Sequence, residues 1–255
     1  MSHAKQHGIQ VYTSRKHRPT SGGLYIPSSG GASLSGWTAQ AITEGATHVY
    51  THGGPTSSHH LDQSGNGYNA TPPGGNWDSR FGTDSPVGVE VDWSGLGDAF
   101  DITTGPLNEN VFSVEAMVRT SSASTTYMLG NDSGGGSSRP WVFAVTSGGE
   151  LQAFANGQSG PVFTSSGANL NDGEWHHLVF SHDWTSGHTN HYIDGTQTVT
   201  DGAGNTSKQT NGTMTFLGVR PAQGMWDGDM AFCAFYGGVE LTPAQVLTLH
   251  ALTGV

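Results

Sequence analysis

The chain has only one cysteine, Cys233, so a disulfide bond within the chain is excluded. We interpret this cysteine as a small buried side chain. Charged residues are also scarce, at 11% of the 255 residues, and apolar residues make up only 34%. No run of about 18 or more apolar residues is present, which predicts that the chain has no membrane span. We therefore expect burial and sheet hydrogen bonds alone to hold the fold.

Positive charge is missing from most of the chain and is concentrated at its start. Before the first acidic residue, Glu44, the sequence has four basic ones, Lys5, Arg15, Lys16 and Arg18. That segment carries +4 and the remainder carries −15, which together give the net charge of −11. The acidic remainder argues against a broad nucleic-acid-binding surface. Two interpretations of the basic segment remain open, a solvated tail and an arm that docks on an acidic partner.

The start of the chain also lacks the apolar core of a typical signal peptide. Residues 1–45 are instead rich in Gly, Ser and Thr, as the stretch GGLYIPSSGGASLSG illustrates. Such a segment has turn chemistry and little to bury. We therefore predict an extended N-terminal arm over 1–45, ordered only against a neighbouring molecule.

The low charge and the 39 glycines disfavour long amphipathic helices. From about residue 46 the sequence consists of short runs rich in Val, Phe, Tyr, Thr and Trp, bounded by turn residues. Several runs alternate in polarity. In FSVEAMV one face would carry Phe112, Val114, Ala116 and Val118, and the other Ser113, Glu115 and Met117. Many short strands at this spacing predict an antiparallel β-sandwich or barrel.

Two local signals are more specific. Asp194-Gly195 suits a two-residue type I′ hairpin turn, which needs a positive φ at both central positions. Near the end of the chain, Thr242, Pro243 and Gln245 match the N-cap, N1 and N3 positions of a capping box. We therefore predict a short C-terminal helix within ELTPAQVLTLHALTG, the only helix that the sequence indicates clearly.

These strands and turns include eight segments in a recognisable order: LDQSGNGYNAT, DWSGLGDAFDI, NVFSVEAMVRT, LNDGEWHHLVFSHD, HYIDGTQ, FLGV, MWDGDMAFCAFY and ELTPAQVLTL. Together they resemble the LamG-like jelly-roll domain of the concanavalin A-like lectin/glucanase superfamily, over roughly 46–255. The resemblance implies two antiparallel sheets packed face to face. It also implies that a ligand or partner binds on one concave sheet face or at rim loops. Some relatives hold Ca²⁺ at the rim, others bind glycans, and others have only an architectural role.

Histidines and acids are concentrated in DGEWHHLVFSHDW, residues 172–184. Neighbouring side chains of a strand point to opposite faces, so His176 and His177 cannot both face one metal ion from this strand. The Trp-His-His order also matches a strand that the resemblance places here. We interpret the segment as a structural strand whose buried imidazole is hydrogen-bonded, with a metal or catalytic cluster as the alternative.

Glycoside hydrolysis of the retaining type needs two carboxyl groups about 5–5.5 Å apart on one surface. In this superfamily the resemblance implies a catalytic strand of the form Glu-x-Asp-x-(x)-Glu. The chain offers Glu90 and Asp92, but Ser94 and Gly95 stand where the third carboxylate is expected. We therefore predict that the protein is not an enzyme, rank glycoside hydrolase last among its functions, and interpret Glu90 as facing solvent.

Calcium is the one cofactor that the sequence suggests, because Ca²⁺ takes about six to eight oxygen ligands. Asp62, Ser64 and Asn66 alternate within LDQSGNG, and Asp98 matches an acidic position of the family. The alternative is that Asp62 and Asp98 cap backbone N–H groups in turns. Ser94 stands where the family frequently has Asp, which weakens a calcium site there.

Tryptophan faces are the candidate platforms for sugar rings. Trp77, Trp141 and Trp184 lie near predicted turns, so we take them as candidate glycan-binding residues. Loop packing or a partner interface is the alternative for each. Trp175 and Trp226 match structural positions of the resemblance, and we expect both in the core.

Three classes of function follow, in order of preference. The first is a non-catalytic structural or surface-display protein of an assembly, such as a bacteriophage virion protein on the capsid or tail surface. Its basic arm would dock on other virion or assembly subunits, and the protein would be made in the host cytoplasm without a signal peptide. The second is a secreted or cell-surface module that binds glycans, with or without Ca²⁺. The third is an enzyme.

Overall fold

The computed structural model describes residues 34–51, 61–71, 81–88, 90–92, 100–102, 109–131, 141–155, 162–165, 167–201, 206, 215–217, 219–220 and 224–255. Within these ranges the chain forms antiparallel strands and two short helices. The strands make an eight-stranded sheet, a six-stranded sheet and a two-stranded ribbon. The predicted antiparallel jelly-roll sandwich with a C-terminal helix is confirmed, and so is the scarcity of helix.

The eight-stranded sheet, sheet A, consists of β1 (His48–Thr51), β2 (Phe81–Gly82), β3 (Glu90–Asp92), β5 (Val111–Arg119), β10 (Trp175–Asp183), β11 (His188–Ile193), β12 (Thr196–Asp201) and β16 (Asp229–Gly237). Its order is β12-β11-β10-β5-β16-β3-β2, and β1 pairs with β16 beyond the end of β3. The long strands β5, β10 and β16 lie side by side at its centre.

The six-stranded sheet, sheet B, consists of β4 (Phe100–Ile102), β6 (Thr126–Asn131), β7 (Trp141–Val145), β8 (Leu151–Ala155), β9 (Val162–Ser165) and β13 (Thr215–Leu217). Its order is β4-β13-β6-β7-β8-β9. The ribbon pairs β14 (Val219–Arg220) with β15 (Gly224–Met225).

The main core lies between the two sheets. Phe112 of β5 packs against Trp141 of β7 with ring centroids 5.8 Å apart, and Phe143 of β7 stacks on Phe180 of β10 at 5.8 Å. The face of β5 that was predicted to be apolar supplies this core, together with buried Cys233. The alternation in FSVEAMV is therefore confirmed, because a strand with period two can send only one of its faces between the sheets.

The opposite face of sheet A, here called its outer face, is covered by the helices α1 (Leu34–Thr43) and α2 (Pro243–His250). A second apolar cluster forms there from Trp37 of α1 and Val246 of α2 against strand residues such as Met117, Val179 and Phe232. Both faces of the central strands are therefore buried over most of their length. Neither of the described helices is long and apolar enough to cross a membrane.

The presence of α1 corrects the prediction of an extended arm up to residue 45, and α1 is a helix that the sequence did not indicate clearly. Trp37 and Ala41, one turn apart, are both fully buried, and the Trp37 ring stacks on Phe232 with centroids 3.7 Å apart. The helix sequence LSGWTAQAIT has no acidic residue in its first turn and contains Gly36. Tertiary packing rather than local propensity therefore stabilises it. Residues 1–33 lie outside the described residues.

The two specific local signals are confirmed. Asp194 and Gly195 have φ values of 50° and 74°, as a type I′ turn requires. In α2, Thr242 accepts a hydrogen bond from the Gln245 N–H while the Gln245 side chain accepts one from the Thr242 N–H, which completes the capping box.

Candidate functional site

Two of the three tryptophans predicted to bind glycans are buried. Trp141 is 0% exposed and Trp184 is 4% exposed, and both pack against Phe112 in the core between the sheets. Neither ring offers a face to a sugar in solvent, so the prediction is wrong for these two residues. Nearness to a turn in the sequence did not decide burial, because each side chain points into the core from the end of an interior strand. Trp77 lies outside the described residues. Trp175 and Trp226 are buried, as predicted.

The LDQSGNG loop is closed by hydrogen bonds to the carboxylate of Asp62. Its Oδ1 accepts the N–H groups of Val49 and Ser64, and its Oδ2 accepts the Ser64 hydroxyl and the Tyr68 N–H. The carboxylate of Asp62 thus caps three backbone N–H groups around the turn, those of Val49, Ser64 and Tyr68. Asn66 turns its amide NH₂ to the Thr47 carbonyl. The contacts of Asp62 are therefore those of the turn-capping alternative, and calcium on Asp62, Ser64 and Asn66 stays a prediction.

Asp98, the fourth predicted calcium ligand, lies outside the described residues. So do Lys5, Arg15, Lys16 and Arg18, the predicted docking residues of the arm. In the part of the chain that the structure describes, no three His, Cys, Asp or Glu side chains are grouped as metal ligands.

The histidine-rich segment 172–184 is a strand, and its imidazoles are used by the fold. His177 Nε2 lies 2.7 Å from Glu115 Oε1 on the outer face of sheet A, and both residues are fully buried. His182 Nδ1 lies 2.8 Å from the Thr189 hydroxyl on the inner face. His176 bridges Asp194 at 2.9 Å and Asp172 at 3.3 Å. The pKa of His176 is raised: burial opposes the shift, but the hydrogen bonds and charges of Asp194 and Asp172 outweigh it.

A polar cleft opens where the covered part of the outer face ends. It has a volume of about 440 Å³, within the range of about 300–1,000 Å³ that small-ligand pockets occupy. Three chain segments line it. They are Arg119–Ser124 at and after the end of β5, Gly173 before β10, and Asp227–Asp229 leading into β16. All three lie at the same end of the sheet, because β10 and β16 both run antiparallel to β5.

Thr120 holds the three segments together. Its hydroxyl donates to the Asp227 carbonyl at 2.5 Å and accepts the Ser122 N–H at 3.1 Å. Its carbonyl accepts the Gly173 N–H at 3.0 Å. Thr120 is itself buried, so these bonds are shielded from water. One buried threonine thus fixes the spacing of the cleft walls.

Gly228 is required by the close approach of two of these segments. A Cβ atom at this position would lie 2.2 Å from the Arg119 carbonyl oxygen. Only glycine lets the backbone before β16 pass this close to the end of β5. The cleft floor is therefore backbone, and its walls are hydroxyl and carboxylate side chains.

Arg119 stands at the centre of the cleft wall, where strand register aligns its neighbours. It pairs across the sheet with Trp175 on one side and Asp229 on the other. Its guanidinium lies 4.9 Å from the centroid of the Trp175 ring, a cation–π contact. Its Nε and Nη2 both donate to Asp229, at 2.9 and 2.7 Å, and its Nη1 donates to Asp84 at 2.9 Å. The guanidinium is held rigidly by these partners.

Glu90 lies behind Arg119 and is only 8% exposed, so the interpretation of Glu90 as solvent-facing is wrong. Its Oε2 is 3.8 Å from Arg119 Nη2. Burial, and next the charge of Asp229, raise the pKa of Glu90 to about 7, against the opposing effect of Arg119. Burial also raises the pKa of Asp229. The alternation of the strand places Glu90 on the outer face with Arg119 and Asp229, which explains why the carboxylates crowd one guanidinium.

Sequence reasoning missed this cleft. Its acids and its arginine are far apart in the chain, and the loop TSSASTT reads as an ordinary turn. The sequence did contain one indication of the site. Arg119 continues the alternating face of β5 that carries Ser113, Glu115 and Met117, and it lies at the end of that face, where the helices no longer cover the sheet. Which loops meet there depends on the strand order, which composition and spacing do not specify.

Comparison with known structures identifies the same architecture in domains of other proteins. Domain 4 of AbnA, an extracellular GH43 arabinanase from Geobacillus stearothermophilus solved with arabinotriose, has a TM-score of 0.61 and 21% identity, covering 81% of this chain and 98% of that one. A heptameric SAP-like pentraxin from Limulus polyphemus has a TM-score of 0.53 and 15% identity, covering 63% of this chain and 81% of that one.

The ligand-binding domain of botulinum neurotoxin serotype D, solved with N-acetylneuraminic acid, has a TM-score of 0.57 and 14% identity. The match covers 84% of this chain and 52% of the toxin chain, so the chain spans about half the length of that relative. At these identities the likeness concerns the fold alone. A search of curated proteins found no match.

The family comparison covers more than half of the chain. The Laminin_G_3 family, described as concanavalin A-like lectin/glucanases superfamily, matches residues 94–247. This range includes β5, β10, β16 and every residue that lines the cleft. The chain therefore belongs to the Laminin_G_3 family of the concanavalin A-like lectin/glucanase superfamily.

Proposed function

We propose that this protein is a non-catalytic carbohydrate-binding module and that the cleft beside Arg119 is its saccharide site. The observation that carries the proposal is the cleft itself, a rigid cavity of about 440 Å³ with polar walls at an uncovered end of the sheet. A mostly polar pocket suits a ligand whose surface is rich in hydroxyl groups. It does not suit the apolar ligands that most small-molecule pockets take.

The chemistry of the walls matches what sugar hydroxyls need. Carboxylates of Asp227 and Asp229 accept hydrogen bonds, while the hydroxyls of Ser121, Ser122 and Ser124 both donate and accept. A sugar hydroxyl is likewise both donor and acceptor, so each can pair with a wall group in either direction. Bonds to charged acceptors are the stronger ones. The cleft can therefore bind a saccharide through hydroxyl pairing, without an exposed tryptophan platform.

The structural relatives support this choice of ligand class. Two of the solved relatives were obtained with a saccharide or a sugar acid bound, arabinotriose in the arabinanase domain and N-acetylneuraminic acid in the toxin domain. The arabinanase relative is a separate domain of a larger enzyme, and our chain covers 98% of that domain. A binding role rather than a catalytic one is consistent with this.

The arrangement of the carboxylates also supports a non-catalytic role. A glycoside hydrolase needs one free acid and one free nucleophile on the same surface. Here Asp229 and Asp84 are both bonded to Arg119, and Glu90 is buried behind it and does not line the cleft. Groups held in this way position Arg119 and the cleft wall.

Filling the cleft tests the proposal. Ala123 is exposed and lines the cleft. The variant Ala123→Trp places a large side chain there to fill the cavity. Ala244, exposed at the start of α2 and far from the cleft, gives the matched control Ala244→Trp. We expect calorimetric titration with a panel of oligosaccharides to show binding that falls about tenfold or more in Ala123→Trp and is unchanged in Ala244→Trp. Equal binding by all three proteins would refute the cleft as the site.

The uneven charge of the chain favours a second candidate function, display on an assembly such as a bacteriophage virion. The basic segment with Lys5, Arg15, Lys16 and Arg18 precedes an acidic remainder, which suits docking of the arm on an acidic subunit. Both functions can coexist. The arm would then anchor the protein to the assembly, and the cleft would face outwards and bind the saccharide. Deleting residues 1–33 keeps α1, so it tests the anchor without removing Trp37. Incorporation that is unchanged by this deletion would contradict the display proposal.

A further inference from the structure

We propose that the cleft selects uncharged saccharides and rejects sugars that carry a carboxylate or sulfate group. This inference rests on the proposed function and names the ligand class of the same site. Two independent observations support it. The described charges around the cleft are mostly negative, and the guanidinium of Arg119 is already bonded to carboxylates.

The charge around the cleft is negative. Asp227 and Asp229 line it, Asp172 and Glu174 flank Gly173, and Asp84 lies on the Arg119 guanidinium with its side chain 71% exposed. Against these acids stand His176, which bridges Asp172, and Arg119, which is the only Lys or Arg side chain that the structure describes. An anionic ligand that enters the cleft therefore meets an excess of like charge.

Arg119 is also poorly placed to bind an anion itself. Recognition of a carboxylate or sulfate by arginine relies on two parallel N–H donors of the guanidinium. Here Nε and Nη2 already donate to Asp229, and Nη1 donates to Asp84. The contact with Trp175 covers one face of the group. These three bonds leave only two of the five guanidinium N–H groups for an incoming anion, which would have to approach beside two carboxylates that are already bound.

An uncharged saccharide avoids both obstacles. Its hydroxyls can donate to Asp227 and Asp229 and accept from the serine hydroxyls of the loop after β5. A carboxylate on the sugar can only accept, so this group cannot pair with the acids of the cleft and is repelled by them. Of the two ligand classes seen in the structural relatives, the chemistry of this cleft fits the neutral one.

The test uses pairs of sugars that differ mainly in charge. Arabinotriose and a galactose trisaccharide serve as neutral probes, and N-acetylneuraminic acid and trigalacturonate serve as anionic ones. Each is titrated calorimetrically into the full chain at low salt and at about 1 M salt, where screening shortens the reach of charges to about 3 Å. Two variants accompany the unchanged protein. Asp227→Asn removes a cleft charge while keeping the shape of the side chain. Glu109→Gln removes an exposed charge beyond the opposite end of β5.

We expect at least one neutral probe to bind about tenfold or more tightly than the anionic probes at low salt. The difference should shrink at high salt and in Asp227→Asn, and it should persist in Glu109→Gln. Salt-dependence separates exclusion by charge from exclusion by shape.

The results that would contradict the selectivity can be distinguished from the result that would refute the saccharide site. Anionic probes that bind as tightly as the neutral ones, and lose binding in Ala123→Trp, would overturn the selectivity while leaving the saccharide site in place. A neutral preference that neither salt nor Asp227→Asn changes would show that charge does not set it. No binding of any probe would refute the proposed function, and the selectivity with it.

Discussion

Glu115 shows at the scale of single residues how the fold uses a buried acid and a buried histidine. It is fully buried, and its carboxylate bonds to the Trp37 indole N–H, to His177 and to the Tyr236 hydroxyl. A buried carboxylate is tolerated only when it is hydrogen-bonded in this way. These groups therefore connect α1, β5, β10 and β16, and none of them is left for chemistry at the surface.

Buried histidines also make stability depend on pH. His191 is fully buried, and burial lowers its pKa from 6.5 to about 3. His191 is thus neutral when folded, while the unfolded chain binds a proton below about pH 6.5. Stabilisation from this residue is complete above that pH and is lost as the pH falls towards 3. His48, with its pKa lowered to about 4, acts in the same direction.

The variant His191→Gln tests this account. It removes the titration and keeps a side chain that can bond to Ser165, the present partner of His191. Between about pH 6 and pH 4 we expect the free energy of unfolding to fall less steeply in the variant, by up to about 1.4 kcal/mol per pH unit. Chemical denaturation across this range measures the slope. His188→Gln, on the exposed part of the same strand, should keep the original slope; equal slopes in both variants would contradict the account.

At the scale of elements, the packing of α1 depends mainly on Trp37. Its ten residues are too few for a stable isolated helix. Trp37 supplies both the stacking on Phe232 and the hydrogen bond to Glu115. The sequence did not predict this helix, since the partners of Trp37 are 78 and 195 positions away along the chain. The capping box of α2, by contrast, is local and was predictable.

Removing the Trp37 side chain should release the helix. Trp37→Ala deletes a fully buried indole and leaves Glu115 with one donor fewer, so we expect a loss of about 3–5 kcal/mol in the free energy of unfolding. Hydrogen exchange should show the amides of α1 unprotected while those of β5 and β10 remain protected. Ile42→Ala, at a partly exposed position of the same helix, should change little. Protection of α1 that survives Trp37→Ala would show that other contacts hold it.

At the scale of the whole molecule, the sandwich could be predicted because its signals are periodic. Each of the signals depends on residues that are close together in the sequence. They are the alternation in β5, the Asp194-Gly195 turn, and the eight segments that resemble the LamG-like domain. The binding site could not be predicted in the same way. Trp141 and Trp184 looked exposed and are buried, whereas Arg119, Thr120 and Gly228 form a cleft only because β10 and β16 flank β5. Strand order, which the chain encodes non-locally, decides where a site can form.

The most direct measurement is the mapping of a bound oligosaccharide onto the backbone by ¹H–¹⁵N NMR. With a neutral oligosaccharide that binds in calorimetry, the account predicts shifted amide signals at Ser121–Ser124, Gly173 and Gly228, with the amides of α1 and α2 unchanged. Shifts confined to any other surface, with the cleft amides unmoved at saturation, would contradict the cleft as the saccharide site.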